Sequence, residues 1–149
     1  MTQQEIQDLL LVGKFMDINH LFPYQCRGDE EPLGLYIADD EEGMLDYKNG
    51  INWYNPDTDY NQLMNVVERI ESLDLKEYMY QWDQEGETQY NFNGLVVDIT
   101  GNTCEIYQEN TLDPPNTISR HQRETKKEAI YLSIIRFIKW YNDLILNNK

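Results

Sequence analysis

Asp57, Asp59, Asn61 and Glu68 stand at positions 1, 3, 5 and 12 of a calcium-loop template, with Met64 apolar at position 8. Oxygen ligands at that spacing could surround a hard cation. The template needs glycine at its sharp turn, where this chain has Gln62, and a preceding helix, where Asn55 and Pro56 stand. The same residues are explained as the capped start of a helix, so no metal ligand is assigned. Two carboxylate runs, Asp29-Glu30-Glu31 and Asp39-Asp40-Glu41-Glu42, could bind a divalent cation or present a ladder of negative charge. They lack the apolar surroundings that split two carboxylate pKa values for acid–base work, and they read as solvated turns. Nucleophilic chemistry has equally thin support. His20 and His121 are the two histidines, and neither Cys26 nor Cys104 has a nucleophile motif around it. Ser72, Ser119 and Ser133 read as a helix end, a loop and a helix interior, and no nucleophile elbow occurs. Glycine-rich phosphate loops are also absent from the sequence. No catalytic, cofactor-binding or metal-binding residue is assigned, and no cofactor is expected. The chain reads as non-enzymatic, with a cryptic hydrolase the least supported class.

Arg120, His121, Arg123, Lys126 and Lys127 form the one basic cluster of the sequence and are the candidate anion-binding residues. Lysines in the first turn of a helix oppose its dipole, which suggests a partner for their charge. That partner is the protein's own acidic body, a second copy in a homodimer, or a phosphate or nucleotide at the helix start.

Charge is unevenly spread. Residues 1–119 hold 24 Asp and Glu against 5 Lys and Arg, a balance of −19, while residues 120–149 hold 3 against 7, a balance of +4. The net charge of −15 disfavours direct nucleic-acid binding and anionic membranes, and it attracts basic proteins. Hydrophobic residues at 40% argue against disorder, and eleven tyrosines and three tryptophans supply large amphipathic surfaces. The N-terminal segment lacks the positive start of a signal peptide, and the run Leu9–Val12 is too short to span a bilayer. With two cysteines in no metal-type pair, free thiols and a cytoplasmic location are expected.

At 149 residues one domain is the default. Thr2 can cap a helix to about Gly13; Leu21–Cys26 and Leu33–Ala38 read as extended, broken at Arg27–Pro32. An acidic turn at 39–43 and an irregular aromatic stretch at 44–56 follow, the latter with Tyr47, Trp53 and Tyr54. The pattern leaves open whether residues 19–56 join a sheet or form a flap. Asp57 and Thr58 are expected to cap a second helix to about Leu73, with Leu63, Val66, Val67, Ile70 and Leu73 inward. Tyr78, Tyr80, Trp82, Tyr90 and Phe92 alternate as strands, Leu95–Ile99 and Cys104–Tyr107 flank a tight turn, and Asp113–Asn116 is expected to end the sheet. Thr125 and Glu128 make the capping box of a last helix to about Leu146.

Val66-Val67-Glu68-Arg69-Ile70-Glu71, the meander with Val97-Asp98-Ile99 and Cys104-Glu105-Ile106, and the closing Glu128-Ala129-Ile130-Tyr131 and Phe137-Ile138-Lys139-Trp140-Tyr141-Asn142 occur in that order. Over about residues 57–147 this resembles small uncharacterised bacteriophage and prophage proteins, and is similar to the phage ABA-sandwich domain. The resemblance implies an α+β fold with an antiparallel β-meander packed between helices, an α/β/α sandwich, and a phage origin in a host cytoplasm. It supplies no reaction, because the matched positions are apolar and amphipathic.

Three functions are carried forward. The first is a phage-type binding protein, an acidic inhibitor or decoy of a host factor. Its protein partner would be basic, with Asp39, Asp40, Glu41, Glu42, Trp53 and Tyr54 as candidate partner-binding residues. The second is a small-ligand module using the aromatics of 78–92 with Arg120 and Arg123. The third is an immunity protein that neutralises a toxin.

Overall fold

The computed structural model describes residues 1–45, 48–75, 92–110 and 116–147, and over them the chain is α+β. Its contacts gather into two compact units, Met1–Leu63 and Met64–Lys149, and the division falls inside the second helix.

In the first unit, helix α1 (Gln3–Phe15) starts at a reciprocal capping box. The Glu5 N–H donates to Thr2 Oγ1 at 3.2 Å and the Thr2 N–H donates to Glu5 Oε2 at 2.6 Å, satisfying two otherwise free donors. Ile6, Leu9, Val12 and Phe15 form its buried face. Strands β1 (Leu21–Tyr24), β2 (Gly34–Ile37) and β3 (Trp53–Tyr54) make an antiparallel sheet in that order. Residues 19–56 therefore contribute a sheet of their own. The stretch expected to be irregular contains β3, because Trp53 and Tyr54 suit a pleated, half-buried edge. Asp46 and Tyr47 lie outside the described residues.

Period-two alternation divides this sheet into two faces. Leu21, Leu35 and Tyr54 face α1: a Cβ at Gly13 would overlap Leu21 Cδ1 and lie 3.5 Å from Tyr54 Cε1. Phe22, Tyr24, Tyr36 and Trp53 occupy the other face.

Helix α2 (Tyr60–Glu71) begins later than the sequence suggests. Asp59 is the cap, its Oδ1 accepting the Gln62 N–H at 3.0 Å. Asp57 and Thr58 instead belong to a turn in which Asn55 O accepts the N–H groups of Thr58 and Asp59 at 3.0 and 2.8 Å. Leu63, Val66, Val67 and Ile70 are buried as expected, whereas Leu73 lies beyond the helix end and is only half-buried.

In the second unit, β4 (Phe92–Thr100), β5 (Thr103–Asn110) and β6 (Asn116–Gln122) form an antiparallel meander. Thr100 pairs with Thr103 around Gly101 and Asn102, and Gly101 has φ +58°, a left-handed conformation suited to glycine. The aromatic strand expected at 78–90 lies outside the described residues. Asn116 does not end the sheet; it opens β6. The β-branched Thr117 and Ile118 favour a strand, but Ser119-Arg120-His121-Gln122 are all polar and show no period-two alternation of apolar residues, so the sequence hides it. Helix α3 (Lys126–Asn147) packs on β5 and β6. Thr125 Oγ1 accepts the Glu128 N–H at 3.2 Å, and Ile130, Ile134, Phe137 and Ile138 are fully buried.

Candidate functional site

The face of the first sheet away from α1 is a row of rings. Phe22 and Tyr36 have centroids 6.0 Å apart; Tyr24 meets Tyr36 edge-on at 6.1 Å and Trp53 edge-on at 5.4 Å. Such tilted and edge contacts are the favoured geometry of aromatic pairs. Phe22, Tyr24 and Trp53 are half-buried, and Tyr36 is buried. Gly34 makes room for Trp53: a Cβ there would sit 3.2 Å from Trp53 Cζ3, so the indole lies over bare backbone.

The acidic turn is fastened to this row. Asp40 Oδ1 accepts the N–H groups of Glu42 at 3.0 Å and Met44 at 3.1 Å. Gly43 O accepts the Tyr36 hydroxyl at 2.8 Å. Gly43 has φ +84°, and a Cβ there would approach Tyr36 Oη and Phe22. Asp39, Glu41 and Glu42 are exposed, so three carboxylates stand at the Phe22 end of the row. Of the expected partner-binding residues, the structure therefore brings Asp39–Glu42 and Trp53 to one aromatic surface. Tyr54 is a correction. It is 4% exposed and faces α1, because adjacent strand residues point to opposite sides.

Tyr54 belongs instead to a cavity of about 360 Å³ in the same unit, where β3 parts from β2. Leu33, Leu35, Trp53, Tyr54, Asn55 and Asp57 contribute to its lining. Gln62 fixes the exit of β3, its Nε2 donating to Trp53 O at 2.9 Å and its Oε1 accepting the Asn55 N–H at 2.7 Å. The residue that spoils a calcium loop in the sequence is thus a clamp, and Asn61 and Glu68 lie on α2 rather than in a loop. Tyr54 Oη and Asp57 Oδ1 are buried with no hydrogen-bond partner among the described residues. Burial pushes the Asp57 carboxyl above the usual range; the nearby Glu5 charge adds to this, against the backbone N–H groups of Asp57 and Thr58. Burial likewise raises the Tyr54 phenol.

The candidate anion-binding residues do not share one surface. Arg120 is exposed on β6, Arg123 follows the strand and donates to Gln122 O at 2.9 Å, and Lys126 and Lys127 are exposed in the first turn of α3. His121 turns the other way, toward α3, where its Nδ1 lies 3.1 Å from Ser133 Oγ and 3.4 Å from Ser119 Oγ. Ser133 donates its only hydroxyl proton to Cys104 O at 3.0 Å, so the His121–Ser133 bond requires the proton on Nδ1. Desolvation, then Arg123 and Arg136, lower the His121 pKa and favour the neutral ring. Cys104 is the cross-strand neighbour of His121, but burial pushes its thiol up to about 11, leaving it protonated and a poor nucleophile. Cys26 is exposed, and both cysteines are free.

The ring row has a visible source in the sequence, the alternation Phe22-x-Tyr24 and the aromatic Tyr36 within an extended segment. The cavity has none, since it depends on where β3 leaves its neighbour. Among the described residues no cluster of metal-ligating side chains occurs, and no helix is long and apolar enough to cross a membrane. Comparison with family models, curated proteins and solved structures finds no match.

Proposed function

We propose that this protein is a non-enzymatic binding module that engages a basic protein partner through the acid-rimmed aromatic face of its first unit. The observation that carries this reading is the half-buried row of Phe22, Tyr24 and Trp53, tied by the Tyr36–Gly43 hydrogen bond to the turn bearing Asp39, Glu41 and Glu42. Aromatic anchors with a charged rim combine the two ingredients of a steered interface: desolvated contact area and a field that attracts the partner. The −15 net charge reinforces that field. The resemblance to phage proteins supports an inhibitor or decoy of a host factor as its biological form.

The test is affinity capture from bacterial lysate at low and high salt, with Asp39→Asn/Glu41→Gln/Glu42→Gln and Trp53→Ala chains alongside. One basic protein should be retained by the parent chain at low salt and weakened in both variants. Capture that ignores salt and survives both changes would remove this reading.

A further inference from the structure

Two guanidinium groups reach His121 from different elements, in a chain whose net charge is −15. The ring itself is held in place. Ser119 and Ser133 are buried beside its Nδ1, at 3.4 and 3.1 Å, and Ser133 is fixed in turn by its bond to Cys104 O. With the proton on Nδ1, the lone pair of the neutral ring lies on Nε2. Nε2 has no hydrogen-bond partner among the described residues and is not one of their buried unpartnered atoms, so solvent reaches it. Arg123 comes to the same side. Its backbone N–H donates to Asn102 O at 3.1 Å, which carries the β5–β6 pairing past Gln122, and alternation then sets residue 123 with residue 121. From α3, Arg136 stands one turn beyond Ser133 on the same helix face. Both arginines are exposed, and both act on the imidazole as like charges. Neither is ion-paired among the described residues, and the bond to Gln122 O uses one of the five N–H donors of Arg123. Arg120, the neighbour of His121 in sequence, points to the opposite side of the strand.

We propose that His121, Arg123 and Arg136 form a binding site for a phosphate monoester, the guanidinium groups donating to its oxygens and His121 Nε2 sharing a proton with it. Guanidinium forks match phosphate geometry. The histidine selects among anions. A neutral Nε2 accepts a hydrogen bond, so it favours an anion that still carries a proton. A phosphate monoester, with a second pKa of about 6, carries one near neutrality, whereas a carboxylate with a pKa of about 4 does not. The complex therefore holds one proton between Nε2 and a phosphate oxygen, whichever of the two brings it. The other groups that face the ring are the hydroxyls of Ser119 and Ser133 and the Cys104 thiol, protonated because burial pushes it up to about 11. As pH rises, the free dianion and the free imidazole both lose the proton that the complex needs, so binding weakens. This site keeps His121 and Arg123 of the basic cluster, adds Arg136 and leaves out Arg120. It lies in the second unit and does not depend on the partner reading above.

The chain has two histidines, so imidazole nitrogen NMR on the full chain, assigned with His121→Gln, reads the site directly. The probe is methyl phosphate at about 0.15 M salt, where the field of the acidic body is screened beyond about 8 Å. Methyl phosphate should move the Nε2 resonance of His121 and raise the pKa of its ring. Affinity should fall roughly threefold or more between about pH 6 and about pH 7.5. Methyl sulfate, which has no proton to share, should bind roughly fivefold more weakly. Arg123→Gln and Arg136→Gln should each weaken methyl phosphate about fivefold. Arg120→Gln makes the same charge change on the other side of the strand and should leave the affinity unchanged. N-acetylphosphoserine amide and glycerol 3-phosphate separate the sources: preference for the former points to a phosphorylated peptide, and for the latter to a free phosphate ester. A His121 pKa that about 10 mM methyl phosphate leaves unmoved would overturn the proposal. Equal binding of methyl sulfate, or equal weakening by Arg120→Gln, would overturn it as well.

Discussion

Tyr54 and Tyr36 sit on opposite faces of one small sheet, and removing the hydroxyl from each should change stability in opposite directions. The Tyr54 hydroxyl is buried with no partner among the described residues, whereas the Tyr36 hydroxyl donates to Gly43 O at 2.8 Å. A buried polar group without a partner carries a desolvation cost of about 1–3 kcal/mol, and a formed hydrogen bond contributes about 0.5–1.5 kcal/mol. Phenylalanine keeps the ring and its packing in both cases. Tyr54→Phe should therefore gain roughly 1–2 kcal/mol and Tyr36→Phe lose roughly 1 kcal/mol. For a chain of 149 residues each kcal/mol moves Tm by about 2–4 °C, so the two variants should diverge by several degrees. Differential scanning calorimetry on the ligand-free chain, supported by urea melts read from tryptophan fluorescence, measures both shifts. A Tyr54→Phe chain that loses as much stability as Tyr36→Phe would show that solvent already satisfies the Tyr54 hydroxyl.

Asp57→Asn should raise Tm at pH 7. A carboxyl whose pKa is raised on folding costs stability wherever the unfolded chain is ionised, so the gain should fade as pH falls through the folded pKa toward the ordinary value of 3.8. His121 acts at another pH: its pKa is lowered on folding, so its contribution is complete above the ordinary 6.5 and is lost as pH falls below it. Melting curves from pH 7.5 to 5.5 should show a decline that His121→Gln makes shallower, and an unchanged slope would contradict the assignment. Ser133→Ala removes hydrogen bonds to Cys104 O and His121 Nδ1 and should cost about 1–3 kcal/mol in urea unfolding at pH 7.5. Thiol labelling with an aromatic disulfide should modify Cys26 rapidly and Cys104 only on unfolding, because Cys104 is fully buried and its thiol pKa is about 11.

How far these features can be read from sequence depends on the range of the interactions that make them. Helix α3 and its Thr125–Glu128 cap are legible because capping and the 3.6-residue stripe are local. The pairing of β4 with β5 is legible for the same reason, since Gly101-Asn102 permits a two-residue turn. Strand β6 is hidden by its own charge. Arg120 and His121 look like one basic patch along the chain, but alternation sends the arginine to solvent and the histidine under α3. Trp53 and Tyr54 show the same effect on an edge strand of two residues, too short for a period to be seen. Asp57 is the hardest case. Its sequence context fits a helix cap, and only the bond from Gln62 N–H to Asp59 shows that the cap lies two residues later, leaving Asp57 to the cavity.

Among the described residues the two units differ in how they treat buried polar groups. Under α3, Ser119, His121, Ser133 and the Cys104 carbonyl answer one another within a closed set of bonds, and the one thiol there is protonated. A hydrogen-bonded network of this kind rigidifies a core. In the first unit Tyr54 Oη and Asp57 Oδ1 are buried with no hydrogen-bond partner among the described residues. Replacing Asp57 with its neutral isostere should improve folding at pH 7. The proposed partner surface, the ring row with its acidic turn, lies in the first unit.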